Sequence, residues 1–191
     1  MQSGATPAEP VGEWETVRRR QVADLSPWLR VWSEEVRLPD GRVIEDFARI
    51  EMRDYTVVVA VTLEGDAVTL RAYKHGPRRV STILPAGYLE DGEEPVVGAQ
   101  RELLEETGYV ADHWTPLGRF TVDGNRDCGQ AHLFLAQEAT FVRTPEAGDL
   151  EEMRTELVPF GQLVDATRRG DVELVGSAAA IGLAATVLGT E

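Results

Sequence analysis

One segment constrains this chain more than any other: GYLEDGEEPVVGAQRELLEETGY, which occupies residues 87–109. Its second half predicts a helix over Glu94–Thr107. Pro95 suits the first turn of that helix, where its missing N–H costs no hydrogen bond. Gly108 can end the helix in the left-handed backbone conformation. The segment therefore predicts a glycine-containing loop followed by a helix with defined ends.

The predicted helix has an acidic side and an apolar side. Glu102, Glu105 and Glu106 fall within about 100° of arc, because spacings of three and four bring side chains to one side of a helix. Gly98 lies on the same side, and we expect its missing side chain to leave room for a ligand. The apolar side, expected to pack on a sheet, consists of Val96, Val97, Leu103 and Leu104.

Carboxylates in this arrangement repel each other, and Glu102 with Glu106 is an unfavourable pair four residues apart. A hard divalent cation offsets such repulsion. Mg²⁺ in particular is bound by a few carboxylates together with substrate phosphate oxygens. An acidic helix face can also be no more than a solvated surface. The segment thus indicates a candidate metal site, with a solvated face as the alternative.

The charge of the whole chain limits its partners. It has 33 acidic and 19 basic residues, which give a formal net charge of −14. A chain this acidic repels phosphate backbones and anionic membranes, so we expect it to bind neither nucleic acid nor membrane. A bound cation would supply local positive charge for an anionic substrate.

Other features of the sequence predict a cytoplasmic location. Cys128 is the single cysteine, so no intramolecular disulfide can form and nothing indicates an oxidising compartment. Residues 1–10 do not have the pattern of a secretory signal. The most apolar stretch, residues 176–189, is too short to span a bilayer.

The chain is predicted to contain a flexible tail over residues 1–12, an antiparallel β extension over 13–50 and a larger domain over 51–191. The turn signal Pro39-Asp40-Gly41 predicts a hairpin over 28–44 in the extension. Strands outnumber helices and are interrupted by them, which indicates an α+β sandwich. The further strands are predicted over 55–63, 67–73, 117–122, 131–136 and 155–160, and the further helices over 161–169 and 177–188.

The spacing around the acidic helix resembles the Nudix box. Gly87, Glu93 and the run from Arg101 to Gly108 match the specified positions, and Tyr109 stands where an aliphatic residue is usual. About eight constrained positions at fixed spacing make the pattern specific. The chain therefore resembles the Nudix hydrolase family, which implies an α/β/α sandwich with a mixed sheet.

The resemblance also implies a chemistry: hydrolysis of a nucleoside diphosphate linked to another group, with Mg²⁺ or Mn²⁺. The metal would orient and neutralise the diphosphate and lower the pKa of the attacking water. Glu93 and Arg101, about two helical turns apart, are expected to form an ion pair that braces the loop against the helix. The implied metal ligands are the carboxylates of Glu102, Glu105 and Glu106 and the main-chain carbonyl of Ala86.

The segments LRAYKHG at 70–76 and LPAG at 84–87 resemble the ADP-ribose pyrophosphatase branch of that family. In this branch basic residues precede the box, so Arg71 and Lys74 are candidate substrate ligands, with a solubilising strand edge as the alternative. Lys74 stands where the branch often has arginine, and it lacks the bidentate fork of arginine. Ile83 stands where the branch often has an acidic residue. These departures concern the identity of the substrate more than diphosphate hydrolysis.

Two polar loops supply further candidates. Arg126, in the loop at 123–130, is a candidate for binding phosphate or sugar hydroxyls. The acidic run 146–152 corresponds to the loop that carries the general base in the ADP-sugar branch. Alignment with the family pattern assigns Asp149 and Glu151 as general base and metal contact, with a shift of one or two residues left open. Both loops could equally be ordinary solvated loops.

The sequence therefore predicts an enzyme that cleaves the pyrophosphate bond of an ADP-ribose-like nucleoside diphosphate sugar into a nucleoside monophosphate and a sugar phosphate. Two alternatives stay open. One is a GDP-sugar, dinucleotide or modified nucleotide as substrate, and the other is a non-catalytic nucleotide-sensing module. The extension over 13–50 resembles the dimerising segment of the ADP-sugar branch, so a homodimer is expected.

Overall fold

The computed structural model describes residues 11–145 and 152–190, which form two compact units. The first unit contains residues 11–52 together with Asp123–Cys128. The second contains Arg53–Val122 and the described residues from Gly129 onward. Of the tail predicted over residues 1–12, all but the last two residues lie outside the described part of the chain.

The first unit is an antiparallel sheet of three strands, β1 (Glu15–Leu25), β2 (Leu29–Arg37) and β3 (Val43–Met52). β2 and β3 form the predicted hairpin, and Gly41 in its turn has a φ of +85°, which only glycine adopts without strain. The β extension predicted over residues 13–50 contains β1, but the sequence did not predict this strand individually, because nearly all of its side chains are exposed and no apolar alternation marks it.

Charged and aromatic side chains connect the strands of the first unit. Glu51 accepts hydrogen bonds of 2.7–3.1 Å from Arg19, Arg30 and Trp32, and the Arg19 guanidinium lies 3.6 Å from the centre of the Trp32 ring. The segment Asp123–Cys128 joins this unit through the Arg126 carbonyl, which accepts a 2.9 Å hydrogen bond from the amide of Ile50 on β3.

The second unit contains the remaining strands and three helices. In chain order they are β4 (Tyr55–Val61), β5 (Asp66–Lys74), β6 (Arg79–Ile83), β7 (Ala86–Tyr88), α1 (Pro95–Thr107), β8 (Tyr109–Val110), β9 (His113–Asp123), β10 (Asp127–Gln137), β11 (Thr140–Phe141), β12 (Met153–Pro159), α2 (Phe160–Arg168) and α3 (Val175–Leu188). The turn between β9 and β10 belongs to the first unit.

The strands of this unit form a mixed sheet around β4. β4 runs parallel to β10, with Tyr55 opposite Ala131, and antiparallel to β5. β5 pairs in turn with β12, while β6 and β7 pair with β5 and β4. The short strands β8 and β11 form a separate antiparallel pair.

The helices cover both faces of the sheet because alternate residues of β4 point to opposite sides. Val57 and Val59 pack in the cluster that contains residues of α2 and α3. Val58 and Ala60 pack in the cluster that contains Leu103 of α1. The unit is therefore the α/β/α sandwich that the resemblance implies. No helix in the described residues is long and apolar enough to cross a membrane.

The predicted helices and strands of this unit are present, with shifted boundaries. β9 and β10 extend well beyond the predicted ranges 117–122 and 131–136. No residue of β9 is buried, so its ends carry little apolar signal. Its length therefore follows from pairing with β10 rather than from burial.

The predicted apolar side of α1 is partly wrong. Leu103 is fully buried and Val96 packs beside it, but Val97 is 50% exposed and Leu104 is only half-buried. Successive residues of a helix are turned by about 100°, so neighbouring positions cannot both face the sheet. The buried side runs instead through Ala99 and Leu103.

Candidate active site

The acidic side of α1 lies next to β7 and the loop that precedes the helix. Glu94 is the N-cap of α1, and Gly108 ends the helix with φ +74° and ψ +11°. The left-handed helix end predicted at Gly108 is therefore confirmed. The loop turns at Gly92, which has a φ of +78°, so that Glu93 faces the helix rather than extending away from it.

Glu93 and Arg101 form the predicted ion pair. Arg101 Nε donates to Glu93 Oε1 and Arg101 Nη2 donates to Glu93 Oε2, both at 3.0 Å. Glu93 Oε2 also accepts a 2.9 Å hydrogen bond from the Glu90 amide, and Arg101 donates to the Tyr88 carbonyl at 3.2 Å. These contacts attach the loop to the helix. The Arg101 guanidinium also holds the pKa of Glu93 below its usual value.

Arg101 also contacts the acidic side of its own helix. Its Nη1 atom lies 2.7 Å from Glu102 Oε1 and 3.2 Å from Glu105 Oε2. The surrounding carboxylates, Glu93 first among them, raise the pKa of Arg101. Within the described residues, no three His, Cys, Asp or Glu side chains are arranged to hold one metal ion. The guanidinium instead supplies the positive charge between Glu102 and Glu105.

Glu102 fits against the backbone of β7 at Gly87. A Cβ atom added to Gly87 would overlap the Glu102 carboxylate. Only glycine at this position therefore leaves enough room for the carboxylate. The expectation for Gly98 is wrong. The space beside Gly98 is occupied by Leu89 and Glu93, because the loop folds back over the first turns of α1. Gly98 therefore allows loop packing rather than ligand access.

Glu106 is the most buried carboxylate of this group, at 7% exposure. Its Oε2 atom accepts a 2.9 Å hydrogen bond from the amide of Ala86. That bond brings the Glu106 side chain to the backbone segment in which a main-chain ligand was predicted. Glu102, Glu105, Glu106 and the Ala86 carbonyl are an oxygen-only donor set, which suits a hard cation such as Mg²⁺ or Mn²⁺.

The predicted substrate ligands on β5 lie in different surroundings. Arg71 Nη1 donates to Thr82 Oγ1 at 3.0 Å. Lys74 lines a cavity of about 440 Å³ together with Tyr55 and Ala86. Burial, with a smaller contribution from Tyr88, raises the pKa of the Tyr55 phenol. One predicted substrate ligand and the predicted main-chain metal ligand therefore border the same cavity.

The remaining predicted residues, Arg126, Asp149 and Glu151, belong to the two polar loops. Arg126 belongs to the first unit, where its Nη1 atom lies 3.8 Å from Asp123 Oδ2. Asp149 and Glu151, the predicted general base and metal contact, lie outside the described residues. Their neighbour Glu152 is described and lies 3.5 Å from Arg154.

Sequence reasoning missed a polar residue on the side of the sheet that faces α1. Thr56 is fully buried on β4, in a strand predicted only as an apolar core element. Its hydroxyl is the signal that could have marked it, since neighbouring core positions are aliphatic. His132 is mostly buried and has a partner in Asp54, with Nε2 and Oδ2 3.4 Å apart.

Comparisons with known proteins bear on this arrangement. A family model described as the NUDIX domain matches residues 52–175. An ADP-ribose pyrophosphatase of Bacillus subtilis (strain 168) is 29% identical over 165 residues, which cover 86% of this chain and 84% of that protein. A CMP-5'-(N-acetyl-N-hydroxy-3-aminopropyl)phosphonate hydrolase of Streptomyces rubellomurinus is 32% identical over 175 residues, which cover 89% and 81%.

A solved structure described as an ADP compounds hydrolase superposes with a TM-score of 0.81 and covers 95% of this chain and 97% of that one. Its sequence identity is 18%, so this match supports the fold alone.

Proposed function

Because this chain belongs to the NUDIX domain family and is a Nudix hydrolase, we propose that it cleaves the pyrophosphate bond of ADP-ribose or a similar nucleoside diphosphate sugar, using Mg²⁺ or Mn²⁺. The products would be a nucleoside monophosphate and a sugar phosphate. The observation that carries the proposal is the hydrogen bond from the Ala86 amide to Glu106. It places a carboxylate of the acidic helix against the backbone segment where a main-chain metal ligand is expected.

We assign the metal ligands to five groups of this chain. The bound ion would polarise the diphosphate and lower the pKa of the attacking water. The hydrogen bond from the Ala86 amide keeps Glu106, the most buried of the helix carboxylates, in a fixed position. Glu102 lies in the space that Gly87 leaves open. The proposed ligands are Glu102, Glu105, Glu106 and the Ala86 carbonyl, with Glu151 as a further contact.

Arg101 and Glu93 support those ligands. Glu102 and Glu105 would hold the cation by turning toward it, and Arg101 would then lose its two hydrogen bonds to them. Its two bonds to Glu93 keep it in place next to the site. Arg101 thereby limits the repulsion among the carboxylates before the ion binds. Glu93 acts through Arg101 and need not touch the substrate.

The remaining assignments concern substrate binding and proton transfer. Lys74, at the cavity beside Ala86, would bind the negative charge of the substrate, with Arg71 and Arg126 as further contacts. Asp149 or Glu151 would accept the proton of the attacking water. A general base must reach that proton directly or through one water molecule, so either carboxylate would have to approach the acidic side of α1.

The test is a product assay by chromatography with Mg²⁺. The purified protein is offered ADP-ribose, ADP-glucose, GDP-mannose, NADH and a diadenosine polyphosphate in parallel. We expect preferential release of AMP and ribose 5-phosphate from ADP-ribose. Faster cleavage of another compound would overturn ADP-ribose as the substrate. No cleavage of any compound would contradict nucleoside diphosphate sugar hydrolysis by this chain.

A second substrate class has its own support. The relative from Streptomyces rubellomurinus is described as acting on a CMP-linked phosphonate and is 32% identical to this chain. Lys74 and Ile83 also depart from the usual residues of the ADP-ribose pyrophosphatase branch. We therefore add a CMP-linked phosphonate to the panel. Its preferential cleavage would favour this second class over ADP-ribose.

We also propose that the first unit forms the contact of a homodimer. The extension over 13–50 resembles the dimerising segment of the ADP-sugar branch, and it exposes Trp28, Leu25 and Trp14 to 65%, 57% and 53%, so that a second copy could bury these side chains. Trp28→Glu should convert a dimer to a monomer in analytical ultracentrifugation. Leu63→Glu, at an exposed position of the second unit, should leave the dimer intact. A monomeric parent protein would overturn this part of the proposal.

The cytoplasmic location stays a prediction from the sequence.

A further inference from the structure

Thr56 on β4 carries a hydroxyl for which the fold supplies no partner. The residue is fully buried. Among the buried side-chain nitrogen and oxygen atoms of the described residues, Thr56 Oγ1 is the one that has no hydrogen-bond partner. Burying a hydroxyl without a hydrogen bond is unfavourable, and native proteins rarely retain one without a reason. We therefore expect the Thr56 hydroxyl to form a hydrogen bond in another state of the protein.

The position of Thr56 in the sheet identifies the candidate partner. Alternation along β4 places Thr56 on the same side as Val58 and Ala60, which pack in the α1 cluster. Its cross-strand neighbours are Gly87 on β7 and His132 on β10. Side chains directly opposite each other in a sheet lie on the same face, with Cβ atoms about 4.5–5.5 Å apart.

Gly87 has no side chain, and the Glu102 carboxylate occupies the space where one would be. Glu102 therefore takes the place of the cross-strand neighbour of Thr56. On the other flank, His132 Nε2 faces Asp54 Oδ2 at 3.4 Å. The Glu102 carboxylate beside Gly87 can accept the hydrogen bond that the Thr56 hydroxyl donates.

We propose that Thr56 is a positioning residue for Glu102. Its hydroxyl donates to the Glu102 carboxylate when that carboxylate turns from Arg101 toward the cation. Groups that hydrogen-bond a ligating carboxylate fix its orientation and strengthen metal binding. This inference rests on the proposed function, because it requires Glu102 to be a metal ligand. Thr56 itself touches neither metal nor substrate.

The experiment measures Mn²⁺ binding through the electron paramagnetic resonance signal of the free ion, together with the melting temperature of the metal-free protein. Thr56→Val keeps the shape and removes the hydroxyl. We expect the Kd for Mn²⁺ to rise about tenfold or more, while the melting temperature stays the same or rises. Thr56→Ser retains a hydroxyl and should bind Mn²⁺ within about twofold of the parent, well short of that loss.

Thr69 provides a matched control. It is a fully buried threonine on β5 whose Oγ1 donates to the Glu156 carbonyl at 3.1 Å. Thr69→Val should lower the melting temperature and leave the Kd for Mn²⁺ unchanged. If Thr56→Val does not fold, comparing Thr56→Ala with Thr56→Ser tests the same hydroxyl.

The outcomes separate this inference from the proposed function. If Glu102→Gln weakens Mn²⁺ binding and Thr56→Val does not, the role of Thr56 is refuted and the metal site stands. If the parent binds no Mn²⁺, or if Glu102→Gln binds it like the parent, the proposed metal site is refuted and this inference with it. Weaker binding by Thr56→Val, restored by Thr56→Ser, supports the inference.

Discussion

Arg101 and Glu93 are joined by two hydrogen bonds of 3.0 Å each, although they lie eight residues apart. The pair attaches the loop before α1 to the middle of the helix, and Arg101 reaches Glu102 and Glu105 from the same position. The geometry of the acidic side therefore depends on a guanidinium that is held by a residue outside the helix.

Arg101→Lys tests the importance of the two parallel hydrogen bonds from the Arg101 guanidinium to Glu93. Lysine retains the positive charge but cannot bind Glu93 through two parallel hydrogen bonds. We expect a loss of about 1–3 kcal/mol in the free energy of unfolding, measured by urea denaturation, and a lower kcat/KM. Arg168→Lys is the control, since Arg168 and Asp165 are both well exposed and lie 3.5 Å apart. An equal change in both variants would contradict a special role for Arg101.

Glu93→Gln should have an effect that depends on pH. Arg101 lowers the pKa of Glu93 in the folded protein below its ordinary value of 4.5. The unfolded chain therefore takes up the proton at higher pH than the folded protein does. The stabilisation is complete above pH 4.5 and is lost as the pH falls through the folded-state pKa.

Urea denaturation of the parent and Glu93→Gln across the acid range measures this effect. The difference in unfolding free energy should be largest near neutral pH and should shrink in acid. A difference that stays constant or grows as the pH falls would contradict the assignment.

Gly87→Ala should displace the Glu102 carboxylate, because the added Cβ atom would overlap it. Misplacing a catalytic group by about 1 Å can cost about 100-fold in rate, so we expect a loss of that order in kcat/KM. Gly182→Ala, at a helical position where a Cβ atom meets nothing within 4 Å, should leave activity unchanged. Full activity of Gly87→Ala would show that Glu102 need not occupy its present position.

The general base can be located by single substitutions in the acidic run. Removing a general base lowers the rate by about 100- to 10,000-fold, so either Asp149→Asn or Glu151→Gln should reduce kcat by that amount with a small change in KM. Glu152→Gln is the neighbouring control. Similar small effects in all three variants would place the base elsewhere in the chain.

The sequence predicted those parts of the site that depend on regular spacing. Glu102, Glu105 and Glu106 share a side because helix geometry determines it. The strand over residues 55–63 likewise follows from its run of β-branched residues. Local geometry alone was sufficient in each of these cases.

The features that the sequence did not predict depend on packing between segments distant in the chain. Gly98 contacts Leu89 because the loop folds back, which no helical periodicity encodes. Glu106 reaches the Ala86 amide only because β7 lies beside α1. The setting of Thr56 depends on three neighbouring strands and the helix above them. Such contacts can be predicted only when the fold is already known.

The central claim is that the acidic side of α1 is a metal-dependent hydrolytic site, and a Mg²⁺ titration of AMP release from ADP-ribose tests it most directly. The parent should release AMP only with Mg²⁺ present, and a chelator should abolish the reaction. Glu106→Gln should lose at least about 100-fold at every Mg²⁺ concentration, as expected when a precisely placed catalytic group is disturbed. AMP release that persists with the chelator, or that is unchanged in Glu106→Gln, would contradict the claim.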